Sequence, residues 1–326
     1  MIMNLLVTWG AWYIWSHTVK LLLEQGFNPI IFDSLENWFK EFVLSEKFYK
    51  GDLRNKEDLE RVFSSEKIDA VIHFAAYASV PDSVINPDKY YENNLLWGLN
   101  LLNAMHKFWV KKIIFSSSAS VYWEPIAEVI KEDHPKKPIN PYGHSKLMFE
   151  EILQRYNKAY AISSISFRYF CAAGASKDWK VWELHDPETH VIPVAILAAL
   201  WKKEKFMIFG DDYPTPDGTW IRDFIHVEDL AQAHILGLNY LDQNICKQFN
   251  LWIGKWFSVK EVVEAVRKVS WKYFKVEIWP RRPWDPSILI ADSQSAQSFL
   301  QWKPKYTTLE SMVETSFNFL QNHYAG

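Results

Sequence analysis

A chain of 326 residues exceeds one average domain and falls short of three, which points to two lobes and excludes a small stapled scaffold. Apolar residues at 48%, charged residues at 23% and a net charge of −3 describe a soluble globular protein with no basic face for nucleic acid or anionic membrane. Two cysteines, Cys171 and Cys246, are too few for a disulfide framework or a thiolate metal site, so no metal is expected and a reducing cytoplasm is.

In chain order, β and α patterns alternate. Asn4 to Thr8 reads as a buried strand that starts too close to the N-terminus to follow a leader or anchor. Ser16 to Gln25 reads as an amphipathic helix ending near Gly26, and Pro29 to Asp33 as a second strand closed by a carboxylate. Strands are expected at Phe48–Gly51, Ala70–Phe74, Lys112–Ser116 and Ile162–Phe167, with helices at Lys56–Ser64, Asp88–His106 and Asn140–Asn157 between them. Right-handed crossovers make these one doubly wound parallel sheet, a Rossmann-like α/β domain over residues 1–168. Residues 169–326 are looser and richer in Pro, with shorter helices at Ile192–Trp201, Val259–Val269 and Leu309–Asn322. They read as a smaller substrate lobe from which the chain can cross back to the first domain.

One count is abnormal. The chain holds 17 Trp and only 11 Gly, and together they come close to the glycine share of a turn-rich α/β protein, about 7% on average. Contexts agree: Trp38 follows Asn37, Trp109 sits where a helix-ending glycine belongs, and Trp123 and Trp284 lie beside Pro-containing turns. The turn after the first strand, Thr8-Trp9-Gly10-Ala11-Trp12-Tyr13-Ile14-Trp15-Ser16, carries three. Indoles there deny a pyrophosphate the close backbone approach that glycine allows. With glycine at 9, 12 and 15 the segment resembles the G-x-x-G-x-x-G turn of the extended short-chain dehydrogenase/reductase superfamily. Asp33 then stands where a carboxylate accepts hydrogen bonds from an adenosine ribose, which favours NAD over NADP.

A second constellation is more specific. Ser116-Ser117-Ser118 ends a strand, and Tyr142-Gly143-His144-Ser145-Lys146 opens a helix. Tyr142 and Lys146, at i and i+4, share one helix face, and an ammonium beside a phenol favours the phenolate that can exchange a proton with a sugar hydroxyl. Ser118 can bond the same oxygen.

With His73-Phe74-Ala75-Ala76, Tyr91-Glu92-Asn93-Asn94, Arg168-Tyr169-Phe170 and Ile221-Arg222-Asp223-Phe224-Ile225-His226-Val227, the chain resembles the UDP-glucose 4-epimerase family over nearly its whole length. The resemblance implies bound NAD, with Gly10, Tyr13 and Ile14 at the pyrophosphate, Asp33 at the ribose, and Asp52 and Leu53 near adenine. Phe74, Ala75, Ala76 and Asn93 would lie along the dinucleotide, and Tyr142, Lys146 and Phe170 at the nicotinamide. It implies a UDP-sugar held by Ser118, Tyr142, Cys171, His190, Val191, Ile208, Phe209, Arg222, Arg282 and Asp285, and a homodimer. Cys171 replaces the Asn of many members, and Leu289 lies near the position that gates N-acetyl sugars in some.

Three alternatives stay open. Other nucleotide-sugar epimerases or dehydratases share the superfamily, although a 4,6-dehydratase needs an Asp-Glu pair where this chain has Ala119 and Ser120. Taken literally, the indoles make a catalytically dead Rossmann-like binding module. The third reading takes the surplus tryptophans as glycines encoded by UGA and translated as tryptophan.

Overall fold

The computed structural model describes residues 2–10, 13–36, 43–122, 129–178, 181, 188–282 and 286–325. Its centre is a seven-stranded parallel sheet. In chain order the first six strands are β1 (Asn4–Thr8), β2 (Asn28–Asp33), β3 (Phe48–Lys50), β4 (Ala70–His73), β5 (Lys112–Ser116) and β6 (Ser163–Arg168). The second half of the chain adds β7 (Cys171–Ala173), β8 (Phe206–Phe209), β9 (Ile221–Arg222), β10 (Phe224–His226), β11 (Cys246–Asn250), β12 (Phe257–Ser258), β13 (Val276–Trp279) and β14 (Ile288–Leu289). The order across the main sheet is β11-β6-β5-β4-β1-β2-β3. Strand order therefore reverses between β1 and β4, and the crevice outside their carboxyl ends is where such folds bind a ligand.

Helices α1 (Tyr13–Glu24), α2 (Lys56–Ser65), α3 (Val80–Ile85), α4 (Pro87–Tyr91), α5 (Trp97–Lys107) and α6 (Pro141–Tyr160) belong to the first half. The second half carries α7 (Val191–Ala199), α8 (Val227–Leu238), α9 (Val259–Ser270), α10 (Gln294–Leu300) and α11 (Leu309–Ala325). Helices cover both sheet faces, so Leu5, Leu6, Ile30, Ile31, Val71, Ile72, Ile113 and Ile114 are all fully buried and the strands read as continuous apolar runs. From the second half of the chain, α8 packs on α1, and β11 pairs with β6 as the edge strand. The remaining short strands form small sheets beside α7, α9 and α11. Among the described residues, no helix is long and apolar enough to cross a membrane.

The helix expected over Asp88–His106 is not continuous. Between α4 and α5 the segment Glu92–Leu96 winds as a π-helix. Its cause is a tertiary contact: Asn94 turns inward, accepts from the Tyr77 backbone N–H at 2.8 Å and donates to the Tyr77 carbonyl at 3.0 Å. The extra residue per turn brings Asn93 and Asn94 together into the interior, a distortion often found at functional sites.

Candidate active site

Helix α6 begins at an Asn140 cap, whose side chain accepts the Gly143 N–H at 2.8 Å, with Pro141 in the first turn. A Cβ at Gly143 would run into the Ser120 carbonyl oxygen. Glycine is therefore what lets this helix start lie against the end of β5, and that approach assembles the site. Tyr142 is hydrogen-bonded to Ser118. The Lys146 Nζ donates to the Ser116 carbonyl at 2.7 Å and lies 5.9 Å from the centre of the Tyr142 ring. Burial pushes Lys146 down to about 7, with Glu150 acting against that shift. Burial also raises the Tyr142 phenol, which the Ser118 hydrogen bond opposes. The three predicted catalytic groups thus converge on one sheet edge, with a lysine poised to change charge near neutrality.

The residues predicted for the dinucleotide lie mostly on or just after the carboxyl ends of the first four strands, with Asn93 on the π-helix. Asp33 is buried at the end of β2 and accepts the Leu35 N–H at 2.9 Å. Leu53 is buried, while Asp52 is half-buried and ion-paired with Arg54. Phe74, Ala75 and Ala76 are buried just after β4, and the Phe74 and Ala75 N–H groups point to the Thr8 hydroxyl at 3.2 and 3.4 Å. The buried Asn93 Oδ1 has no hydrogen-bond partner among the described residues. Phe170 is half-buried against Val121, Tyr122 and Ile130, together with Leu289.

The turn after β1 is different. Gly10 is buried, with Ile31 so close that a Cβ would stand 3.0 Å from it. Tyr13 donates its hydroxyl to the Gly174 carbonyl at 2.7 Å, and Ile14 is half-buried. Trp9 holds φ 57° with its indole buried, 5.9 Å from Tyr77 beyond β4 and 5.9 Å from Trp15. Trp15 in turn lies 5.5 Å from Phe74. The two indoles bridge the carboxyl ends of β1 and β4, across the switch point itself. Over its described residues the phosphate turn as it stands does not fit a pyrophosphate, because the indoles of Trp9 and Trp15 occupy the approach along which backbone N–H groups must come within about 3 Å of phosphate oxygens. Ala11 and Trp12 lie outside the described residues.

Elsewhere the backbone repeats this mismatch. Gly26 ends α1 at φ 80°, with Gly26 N–H to the Leu23 carbonyl at 3.1 Å and Phe27 N–H to Leu22 at 2.9 Å. Trp109 (φ 62°) ends α5 with the same pair of bonds, to His106 at 3.3 Å and from Val110 to Met105 at 2.9 Å. Trp201 (φ 59°) does so after α7, bonding to Ala198 at 3.1 Å while Lys202 bonds to Leu197 at 2.9 Å. Trp271 (φ 54°) caps α9 and is 92% exposed. These are glycine-ended helix termini occupied by tryptophan. Trp302 is the contrast: it is fully buried, and its indole N–H donates to the Asp229 carbonyl at 3.0 Å. Tryptophan belongs there.

The predicted sugar-diphosphate residues lie in the second half of the chain. Arg222, on β9, pairs in register with Leu289 on β14 and stacks over Trp220 at 4.7 Å. Ile208 and Phe209 end β8, and the Arg282 guanidinium lies over the Phe209 ring at 3.8 Å. Cys171 is half-buried at the start of β7, His190 is exposed beside Glu188, and Val191 opens α7. Asp285 lies outside the described residues. Sequence reasoning missed two buried groups behind the catalytic corner. Glu150 was not singled out, and Arg168 entered only as part of a motif; both are 1% exposed and paired with each other.

A parallel sheet of this strand order, with Ser, Tyr and Lys gathered beside its switch point, defines a dinucleotide-type Rossmann protein of the short-chain dehydrogenase/reductase kind. The chain belongs to the NAD dependent epimerase/dehydratase family, whose profile matches residues 5–251. It is 44% identical to the UDP-glucose 4-epimerase of Lacticaseibacillus casei over 99% of this chain and 98% of that protein. The crystal structure of UDP-glucose 4-epimerase from Brucella ovis in complex with NAD superposes with a TM-score of 0.94 at 39% identity, covering 97% of this chain and 98% of that one. The Bifidobacterium longum enzyme in complex with NAD+ and UDP gives 0.93 at 37% identity, covering 99% and 100%.

Proposed function

We propose that this fold carries out the reversible 4-epimerisation of UDP-glucose and UDP-galactose through a 4-keto sugar. The observation that carries the reading is the convergence of Ser118, Tyr142 and Lys146 at one sheet edge, in a chain similar over its full length to such epimerases. Bound NAD supplies reversible hydride acceptance, so the reaction needs no outside reductant. The chain's own task is proton traffic and placement. Tyr142, as phenolate, takes the proton of the sugar 4-hydroxyl, Ser118 steadies that oxygen, and Lys146 lowers the cost of the phenolate charge. Arg222 and Arg282 suit a diphosphate because planar guanidinium donors bind its oxygens in pairs. Ala119 and Ser120 leave no carboxylate for expelling water. A homodimer in the cytoplasm is part of the same proposal, in keeping with two cysteines that form no disulfide.

The four left-handed tryptophans favour a second element of the reading: glycine is the residue for which the backbone at positions 9, 109, 201 and 271 is shaped, and the sequence spacing of the turn extends the reading to 12 and 15. The gene checks this directly. UGA is expected at these positions and UGG at Trp302; UGG throughout would contradict it. The activity test uses the W9G/W12G/W15G chain, which should convert UDP-galactose to UDP-glucose without added reductant. Accumulation of a 4-keto, 6-deoxy sugar would assign a dehydratase instead.

A further inference from the structure

Behind the catalytic corner runs a buried polar chain that the reaction itself does not use. Glu150 lies one turn beyond Lys146 on α6. Its Oε1 accepts the Ser117 hydroxyl at 2.6 Å and the Arg168 Nε at 2.9 Å, and its Oε2 accepts the Arg168 Nη2 at 2.5 Å. Arg168, the last residue of β6, also donates to the Tyr122 hydroxyl at 2.8 Å, and Tyr122 donates to Asn250 at 2.7 Å. The middle of α6 is thereby tied to the carboxyl ends of β5, β6 and β11. Burying two charges costs several kcal/mol per ion, so such a pair is poorly explained as a source of stability.

Its position suggests another use. Ser117, which Glu150 holds, lies between Ser116, whose carbonyl receives Lys146, and Ser118, which bonds Tyr142. We infer that the Glu150–Arg168 pair is a positioning device for the catalytic corner: Glu150 fixes α6 against the serine strand end, and Arg168 neutralises the carboxylate that acts on the Lys146 ammonium. Among the described residues, the other groups around Lys146 carry no opposing charge. Tyr142 from α6 is raised by burial, and so is Tyr169 after β6. His73 from β4 is lowered to about 3 by burial and by Lys146. Phe115 and the Ser116 carbonyl complete the surroundings from β5.

The test titrates Lys146 in the chain as it stands, by NMR of 13Cε-labelled lysine, with Lys146→Met assigning the signal. Arg168→Gln exposes Lys146 to an unneutralised carboxylate and should raise its titration by about one pH unit. Glu150→Gln leaves an unneutralised guanidinium and should lower it by a similar amount. A structural role alone predicts lost stability without shifts of opposite sign. No shift, or shifts in one direction, overturns the inference. Should either single variant fail to fold, Glu150→Leu/Arg168→Met removes both charges and is expected to fold. In the glycine-bearing chain it should lower kcat tenfold or more at unchanged KM, because Ser117 loses its hold; full kcat overturns the inference. The catalytic arm rests on the proposed epimerase reading, but the titration does not. Opposite shifts without any epimerase activity would sink that reading and leave the positioning device standing.

Discussion

Two stretches of the same sheet edge, the Ser116–Lys146 corner and the turn after β1, meet opposite fates. At the corner every level agrees: the Asn140 cap, the close approach at Gly143, the shared helix face of Tyr142 and Lys146, and the pairing that holds Ser117. At the turn the backbone and the side chains disagree. Trp9 takes a left-handed conformation that glycine adopts freely, and its indole packs between Trp15 and Tyr77 at the point where the strand order reverses. Backbone conformation is thus set by the surrounding fold, through the parallel pairing of β1 with β2 and β4, rather than by the residue in the turn. Local and global preferences that conflict in this way mark a position where the side chain is foreign to the fold.

The comparison breaks first at the corner if its assignment is wrong. In the chain with glycine at 9, 12 and 15, Tyr142→Phe should lower turnover by about a thousandfold while NAD content is unchanged, since it removes the proton acceptor and leaves the ring. Turnover at the parent level would mean that another base serves. Lys146→Ala should shift the alkaline rise of kcat to higher pH, because the phenol loses its cationic neighbour. An unmoved profile would remove Lys146 from the proton path.

The tryptophans themselves give the next largest effect, and with opposite signs. Trp302→Ala should cost about 3–5 kcal/mol in urea unfolding, by emptying a fully buried site and orphaning the Asp229 carbonyl. Trp109→Gly, Trp201→Gly and Trp271→Gly should each gain on the order of 1 kcal/mol by relieving the left-handed strain. Equal losses at all four positions would erase the distinction between them.

The physics of each region also decides what the sequence could reveal. The buried strands were legible because apolar runs bounded by turn residues leave few other readings, and their ends fall within a residue or two of expectation, as at Lys112–Ser116. The Tyr-Lys spacing was legible because helix geometry fixes it. The π-helix at Glu92–Leu96 was not, since a single inserted residue hides inside a 3.6-residue pattern and its cause, Asn94 bonding to Tyr77, is a tertiary contact. Glu150 and Arg168 were invisible as a pair because only the packing of α6 on the sheet brings them together. Trp109 and Trp302 look alike as letters, and φ and burial alone separate them.

A separate effect, tied to neither region, is expected on acid stability. Burial lowers His17 and His73 to about 3 and His234 to about 4. The unfolded chain binds their protons below about 6.5 while the folded chain does not, so stability is lost as pH falls from that value toward 4. Each histidine contributes at most about 1.4 kcal/mol per pH unit in that window. His17→Gln should flatten the slope of unfolding free energy between pH 4 and 6 by one such increment; an unchanged slope would show that His17 already holds a proton when folded.

The most direct test of the contrast between the two regions is an NAD titration by calorimetry, performed on the chain as it stands and on W9G/W12G/W15G. The account predicts no detectable binding to the former and micromolar or tighter binding to the latter. Recovery should be strongly non-additive across the single and double replacements, because one remaining indole suffices to obstruct the groove. Micromolar affinity in the tryptophan-bearing chain would contradict it.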